Sequence, residues 1–566
     1  MSTAFRLHLA GWIVLACLAC SDEKKDRPAQ DETSAELGAF VDVTRQAGID
    51  FRHEHGGVGE KYLPETMGSG AAWLDFDGDG WIDLYLVNSA PLPGYGGKVI
   101  PSNRLYRNEG DGTFEDVTER ARVGDHGYGM GAFAADYDAD GHVDIYVTNL
   151  GPNVLYRNKG DGTFEEVAER AGVANKLWGT AASWLDYDND GHLDLYLTNY
   201  VYFSPQNRPD PCGDPEPGRR TYCPIDFYKA QPDVLYRYRG DGTFEDVSES
   251  SGILAPEAAK GLGCVASDLD DDGDLDLFVA NDGTPNFLLL NRGDGTFEDA
   301  TLLSGVGYNA QGKTEACMGV ACGDLDGDGD FDLFATNFSN ESNTLWQNEG
   351  GGTFVDRTTR FDLATSSLPM LGFGTAAVDV DRDGWLDLVV ANGHILDNVN
   401  LYYQNIHFEE PNFLYLARPS EKGVRFEEAG QRFGADWVRP EPSRGLAVAD
   451  YDNDGDLDFL FTNSNRPPTL LRNDSQPRGG FVQLRLRATE GHPSAIGARV
   501  MADVDGRQQQ FEVRAGESYL CTHDPRIVIG LGAAKEVGRL EIRWPSGKRT
   551  VLEGLAAGTQ RDVVEE

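Results

Sequence analysis

The sequence predicts an all-β protein: a seven-bladed β-propeller followed by a small C-terminal β domain. Three observations carry this. A nine-residue loop, Asp-x-Asp-x-Asp-Gly-x-x-Asp, occurs seven times. A Gly-Asp-Gly hairpin follows most copies of it. The strand missing from the last repeat stands at the front of the chain. Self-similarity at such spacing is the signature of a repeat architecture, and the 68 glycines suit a protein of many tight turns.

The loop carboxylates are, in chain order, Asp75, Asp77, Asp79 and Asp83; Asp136, Asp138, Asp140 and Asp144; Asp186, Asp188, Asp190 and Asp194; Asp268, Asp270, Asp272 and Asp276; Asp324, Asp326, Asp328 and Asp332; Asp379, Asp381, Asp383 and Asp387; and Asp450, Asp452, Asp454 and Asp458. Small and apolar residues precede each copy, as in Gly131-Ala132-Phe133-Ala134-Ala135. A short apolar run follows, as in Val143-Asp144-Ile145-Tyr146-Val147. Runs of this length rich in Val, Tyr and Phe read as strands, and near-continuous apolarity places them in a sheet covered on both faces. Each loop therefore joins two strands of a buried hairpin.

The second hairpin runs from Leu105-Tyr106-Arg107-Asn108 through Gly110-Asp111-Gly112 to Thr113-Phe114-Glu115-Asp116-Val117, and it recurs from Leu155, Leu235, Leu288 and Leu345. Gly-Asp-Gly between β-rich runs is a turn. Two hairpins make four strands, which is one blade. Phe40-Val41-Asp42-Val43-Thr44 matches the fourth strand but has no hairpin before it. Thr469-Leu470-Leu471-Arg472-Asn473 matches the third strand but has no fourth after it. Together they close the ring and remove free sheet edges. The sixth repeat departs from the pattern: without Gly-Asp-Gly, its third and fourth strands near Leu414 and Phe426 are expected to be joined by a longer loop.

The expected organisation is a lipoprotein-type signal over 1–20, a disordered tether over 21–38, the propeller over 39–476 and a separate β domain over 480–566. In the last, Val482 to Arg487 alternates as a half-exposed strand does, and Asp505-Gly506 marks a hairpin turn. Arg6 opens the leader, and the apolar run from Leu7 to Ala19 is too short for a stable membrane span. It ends in Cys17-Leu18-Ala19-Cys20-Ser21, which resembles a lipobox with Cys20 as the lipidated residue; Cys17 is the second candidate, and a plain cleaved signal is the other reading. Either way the expected location is extracytoplasmic, a cell-envelope lipoprotein or a secreted protein, lipid-anchored rather than membrane-spanning, and monomeric. In an oxidising compartment Cys212 and Cys223, which flank the Pro/Gly-rich insertion within the 82-residue gap between the third and fourth loops, are expected to pair. A bridge of that span stabilises by roughly 2–3 kcal/mol. Cys264, Cys317, Cys322 and Cys521 lie in or beside apolar strands and read as buried free thiols.

A net charge of −44 excludes a general attraction to nucleic acid, which needs a basic face, and opposes binding to an anionic membrane surface. Much of the charge sits in the repeated clusters. Calcium takes six to eight oxygen ligands. Asp at positions 1, 3 and 5 supplies alternate carboxylates, Gly at position 6 permits the sharp turn, the carbonyl at position 7 (Trp81 or His142, for instance) is a further ligand, and Asp at position 9 completes the set. The first half resembles an EF-hand loop, without flanking helices and without Glu at position 12. About seven structural Ca²⁺ ions are expected, and they would bring the charge from −44 to about −30. Magnesium, with its stricter geometry, fits less well. The opposite reading makes these residues plain Asx-turns.

No metalloprotease helix motif, phosphate-binding Gly-rich loop or nucleophile elbow is present. His142 and His192 read as exposed. His53, His55 and Glu60 form a polar cluster that either lines the central funnel or lies in a surface connection. Arg239-Gly240-Asp241 and Arg292-Gly293-Asp294 spell an adhesion tripeptide, but the repeat itself supplies Gly-Asp.

The Asp loops framed by apolar strands resemble FG-GAP/VCBS repeats, as in integrin α-subunit propellers. Ile496-Gly497-Ala498-Arg499-Val500, Gly530-Leu531-Gly532 and Trp544-Pro545-Ser546-Gly547 resemble the ASPIC/UnbV domain that follows such a propeller in the cartilage acidic protein-like family, bacterial members included. The resemblance spans nearly all of the chain beyond its leader and implies calcium binding and an extracytoplasmic location, but no particular reaction. The chain departs from animal members in having no cysteine-rich module after the propeller and in its lipobox-like leader. The expected function is a calcium-binding module for a protein or glycan ligand at the cell envelope, not an enzyme. The alternative is a hydrolase, lyase or oxidoreductase with its site in the central funnel, supported by fold analogy alone.

Overall fold

The computed structural model describes residues 38–566 apart from 99, 207, 208, 210, 211, 215, 217, 422 and 476–478. The leader, Cys20 and all but the last residue of the expected tether lie outside these. Seven four-stranded antiparallel sheets form the propeller. Blade 2 is typical: Gly129–Ala135, Asp144–Asn149, Val154–Asn158 and Phe164–Glu166 follow one another in chain order and in the sheet. The first two strands are buried along their whole length, whereas the fourth buries only Phe164. That burial gradient runs from the axis, where first strands of successive blades adjoin, to the rim.

Blade 7 is closed by the front of the chain. Phe40–Asp42 pairs antiparallel with Thr469–Asn473, Phe40 opposite Asn473 and Asp42 opposite Leu471. Phe40 then packs against Phe433, Trp437 and Phe459. In blade 6 the expected long loop is corrected: the extra residues lengthen the ladder instead, Phe413–Ser420 against Gly423–Glu428, down to a Ser420–Gly423 pair. A hairpin that grows by pairing satisfies backbone groups that a loop would leave to water.

An asparagine at the end of the third strand links blades. The Asn108 amide donates to Ile82 O of its own loop and to Tyr451 O of blade 7. Asn158, Asn291 and Asn348 reach the preceding blade at Phe76, Tyr187 and Leu269.

Residues 481–566 build two small sheets. One places Phe481–Arg487 between Ile527–Gly530 and Thr559–Val564; the other runs Arg507–Glu512, Arg499–Val504, Glu536–Arg543, Arg549–Ala556. Asp505-Gly506 forms the turn between Val504 and Arg507. This segment shares a hydrophobic core with blades 2 to 4, and it belongs to the same compact unit as the propeller. No helix among the described residues is long and apolar enough to cross a membrane.

Candidate cation loops and the sealed axis

Each loop is wound by its own aspartates. In blade 2, Asp136 at position 1 accepts the N–H groups of Asp140 and Gly141, and Asp140 at position 5 accepts that of His142. Gly141 holds φ +89°, which favours glycine. Asp144 at position 9 does something else. It is fully buried, and its two oxygens accept the N–H of Tyr137 in the loop and of Asn158 on the third strand. The same two bonds recur at every copy, for example at Asp276 from Leu269 and Asn291 and at Asp458 from Tyr451 and Asn473. Position 9 therefore braces loop to sheet.

Carboxylates at positions 1, 3 and 9 converge within 4.8 Å of one another in blades 1 to 4, and at positions 1, 3 and 5 in blade 5. In the first three blades position 5 is turned toward an arginine of the third strand: Arg107 bridges Asp77 and Asp79, Arg157 bridges Asp138 and Asp140, and Arg237 bridges Asp188 and Asp190. Several loop oxygens are buried without a hydrogen-bond partner: Asp75 Oδ1, Asp138 Oδ1, Asp188 Oδ1, Asp268 Oδ1 and Asp452 Oδ1. A plain Asx-turn does not strand buried carboxylate oxygens, which are costly unless something binds them. Burial pushes Asp83 and Asp276 up to about 8 and Asp194 up to about 9. At position 1, burial pushes Asp136, Asp186 and Asp324 up to about 6 and Asp268 and Asp450 up to about 7. Hard oxygen donors gathered in this way suit a divalent cation, which favours the ionised form that burial opposes.

The propeller axis is entered from one end and covered at the other, and a cavity of about 220 Å³ lined in part by Asp75, Asp136, Arg485, Arg514, His523 and Arg526 lies beside the entering segment. From the C-terminal segment, residues 515–524 run into the axis and satisfy the inner edges of the first strands. Ala515 O accepts from Trp184 N (2.9 Å), and Ser518 exchanges backbone bonds with Val320 (2.7 and 3.1 Å). Ser518 Oγ also accepts from Thr375 N and donates to Leu446 O. Leu520 O accepts from Ala132 N, and Thr522 bonds Ala71 and Trp73. Six of the seven blades are thus reached; only blade 4 receives none of these bonds. Gly516 holds φ +114° and lies so close to blade 3 that a Cβ would stand 2.2 Å from Ala182 O.

At the other end, the lead-in to blade 1 meets insertions in blades 3 and 6. Lys61 pairs with Asp397 at 2.6 Å, Tyr222 donates to Glu65 Oε2 at 3.1 Å, and the Asn398 amide donates to Gly218 O and Arg220 O. Cys212 and Cys223 are bonded, as expected, inside this cap. Tyr519 and Leu520 share an apolar cluster with cap residues Tyr62, Leu63 and Cys223. Cys264, Cys317, Cys322 and Cys521, the other cysteines among the described residues, are free and buried.

His53 is buried with both nitrogens used, Nδ1 by the Asn465 N–H and Nε2 toward Ser89 Oγ. Burial pushes it well below the usual range. His55 accepts from Gly57 N, and Glu60 lies 3.6 Å from Arg220. Each of the three, on the lead-in to blade 1, thus has its own partners. His142 and His192 are half-buried over Gly160 and Gly240 of the neighbouring turns. In the two Arg-Gly-Asp turns the aspartate is held by the next threonine, Asp241 by Thr243 and Asp294 by Thr296, and the arginine by a glutamate.

The axial segment, the cap and the third-strand arginines are what sequence reasoning missed. Tyr519-Leu520-Cys521, a short apolar run flanked by polar residues, is the one local trace of the plug.

Residues 488–566 match the family described as ASPIC and UnbV. Residues 75–147, 136–197, 227–279, 268–335 and 324–390 match the FG-GAP-like repeat, about half of the chain in all. Cartilage acidic protein 1 of Homo sapiens is 26% identical over 351 residues, covering 60% of this chain and 49% of that protein. Its Mus musculus counterpart is 25% identical over 412 residues, 59% of each. The chain spans about half the length of the curated relatives it matches. A solved Agrocybe aegerita lectin that recognises non-reducing terminal N-acetylglucosamine has a TM-score of 0.40 and 16% identity, over 70% of this chain and 87% of that one. With these matches covering repeats and C-terminal segment alike, the chain belongs to the FG-GAP-like repeat family and carries an ASPIC/UnbV segment at its C-terminal end.

Proposed function

We propose that this chain is an exported, calcium-stabilised binding module that presents its propeller to a protein or glycan ligand at the cell envelope, and that it is not an enzyme. The observation that carries the calcium reading is the set of converged carboxylates with buried, unpartnered oxygens. The carboxylates at positions 1, 3 and 9 would hold the ion, with position 5 or the position 7 carbonyl completing its shell. Cys212–Cys223 supports an oxidising compartment, and the leader with Cys20 as lipid acceptor is the proposed route there.

The filled axis supports binding over catalysis. An active site of the kind considered as the alternative would lie in the central funnel, and here residues 515–524 bond to six of the seven blades along that axis. The ligand surface is then the rim and faces of the blades. Titration calorimetry of the full chain, stripped of metal, tests the central claim. Calcium uptake approaching seven equivalents, with a rise of many degrees in the thermal midpoint, is the expected result. Uptake of no calcium, and a midpoint indifferent to chelator, would defeat it.

A further inference from the structure

The ring of loops is also where the C-terminal segment docks. Arg485 reaches Asp75 at 3.3 Å in blade 1, Arg499 reaches Asp268 at 3.5 Å in blade 4, and Gln483 donates to Asp450 at 2.9 Å in blade 7. Arg507 donates to Gly384 O in blade 6. In blade 3 the backbones of Gly191 and Gly491 pass in contact. Docking buries the first carboxylate of the loop: the side chains of Asp75 and Asp268 are only 7% and 8% exposed, and each keeps an unpartnered Oδ1.

That burial has a sign. Covering carboxylates that lack a full complement of partners is costly, and the arginines supplied by the segment leave Asp75 Oδ1 and Asp268 Oδ1 without a hydrogen-bond partner. A divalent ion in each cluster offsets the cost, so the ion-loaded ring is the better surface for this segment. Linkage is reciprocal: whatever favours docking when ions bind must favour ion binding when the segment docks. The segment also carries residues 515–524 into the axis, so the two events extend to the inner edges of the blades.

We infer that residues 480–566 are a cation-dependent closure of the propeller: loading the loops seats this segment and its axial plug, and stripping them withdraws the plug. This rests on the cation reading proposed above.

Hydrogen exchange of the full chain, at stepped free calcium, tests it. The third-strand amides that do not bond a loop carboxylate, such as those of residues 288–290 and 345–347, serve as internal reference. As calcium falls, residues 515–524 and the sheets of the C-terminal segment should lose protection before the reference strands do, and exchange at least about tenfold faster while those strands stay protected. Simultaneous loss, or loss in the blades first, overturns the closure while leaving calcium binding intact. Indifference of every amide to calcium instead removes the cation reading, and the closure with it. Gly516→Val supplies a second measurement, since it obstructs the plug without touching a loop. Calcium affinity should weaken by at least about fivefold, and an unchanged affinity in a folded variant refutes the linkage.

Discussion

Asp276→Ala separates the two duties assigned to position 9. The side chain is fully buried and accepts the N–H of Leu269 at 2.9 Å and of Asn291 at 2.7 Å. Truncation leaves two buried donors unpaired, at about 1–3 kcal/mol each, so a loss of about 2–6 kcal/mol is expected with or without metal. Asp276 also stands within 4.8 Å of Asp268 and Asp270. If the cluster holds calcium with a Kd of about 10⁻⁴–10⁻³ M, then about 1 mM free ion stabilises the native state by a further ~0.4–1.4 kcal/mol at that site. The variant forfeits that amount as well. Denaturant unfolding in calcium and in chelator gives both numbers: the destabilisation should be larger in calcium by the site's own contribution. Equal destabilisation in the two buffers would mean that Asp276 only braces the backbone. A total below about 1 kcal/mol would refute the bracing as well.

Two further outcomes follow from the cap. Glu410 is buried, its Oε2 accepts the Leu371 N–H, and burial pushes its carboxyl up to about 8. The folded state therefore keeps a proton that the unfolded chain releases near its ordinary value of 4.5, and native stability falls as pH rises between the two. Glu410→Gln removes that slope, so its stability relative to the parent should grow by about 1.4 kcal/mol per pH unit across that window; a constant difference from pH 5.5 to 7.5 contradicts the buried acid. Cys212→Ser with Cys223→Ser opens the bridge inside the cap. A loss of roughly 2–3 kcal/mol and faster proteolysis near Lys61–Asp397 are expected, whereas a protease-resistant double variant with an unchanged midpoint would show that the cap holds without its bridge.

How much of this molecule was legible follows from which contacts repeat. Asp144 and its counterparts face the same two backbone donors in every blade, so their spacing is written seven times and was read directly. The closing strand at Phe40 was legible for the same reason, as a copy out of place. Single-copy features had no such signal. The third-strand arginines were visible as residues, but their reach onto position 5 depends on how the strands stack. Blade 6 lacked the turn that marks its hairpin, and pairing from Ser420 to Gly423 took the place of a loop.

The plug could not have been periodic. A segment on the axis of a seven-fold ring meets a different set of blades at each residue: Ala515 on blade 3, Ser518 on blades 5, 6 and 7, Leu520 on blade 2, Thr522 on blades 1 and 2. Its side chains are therefore chosen one at a time, with Gly516 where the backbone of blade 3 leaves no room and Ser518 where three inner edges converge. The ring presents open N–H and C=O groups to whatever lies on its axis, and such groups must be bonded when buried. A chain that carries both the ring and the segment filling it makes the axis part of its own core while that segment is seated, which supports the proposed placement of a ligand on the outer faces of the blades.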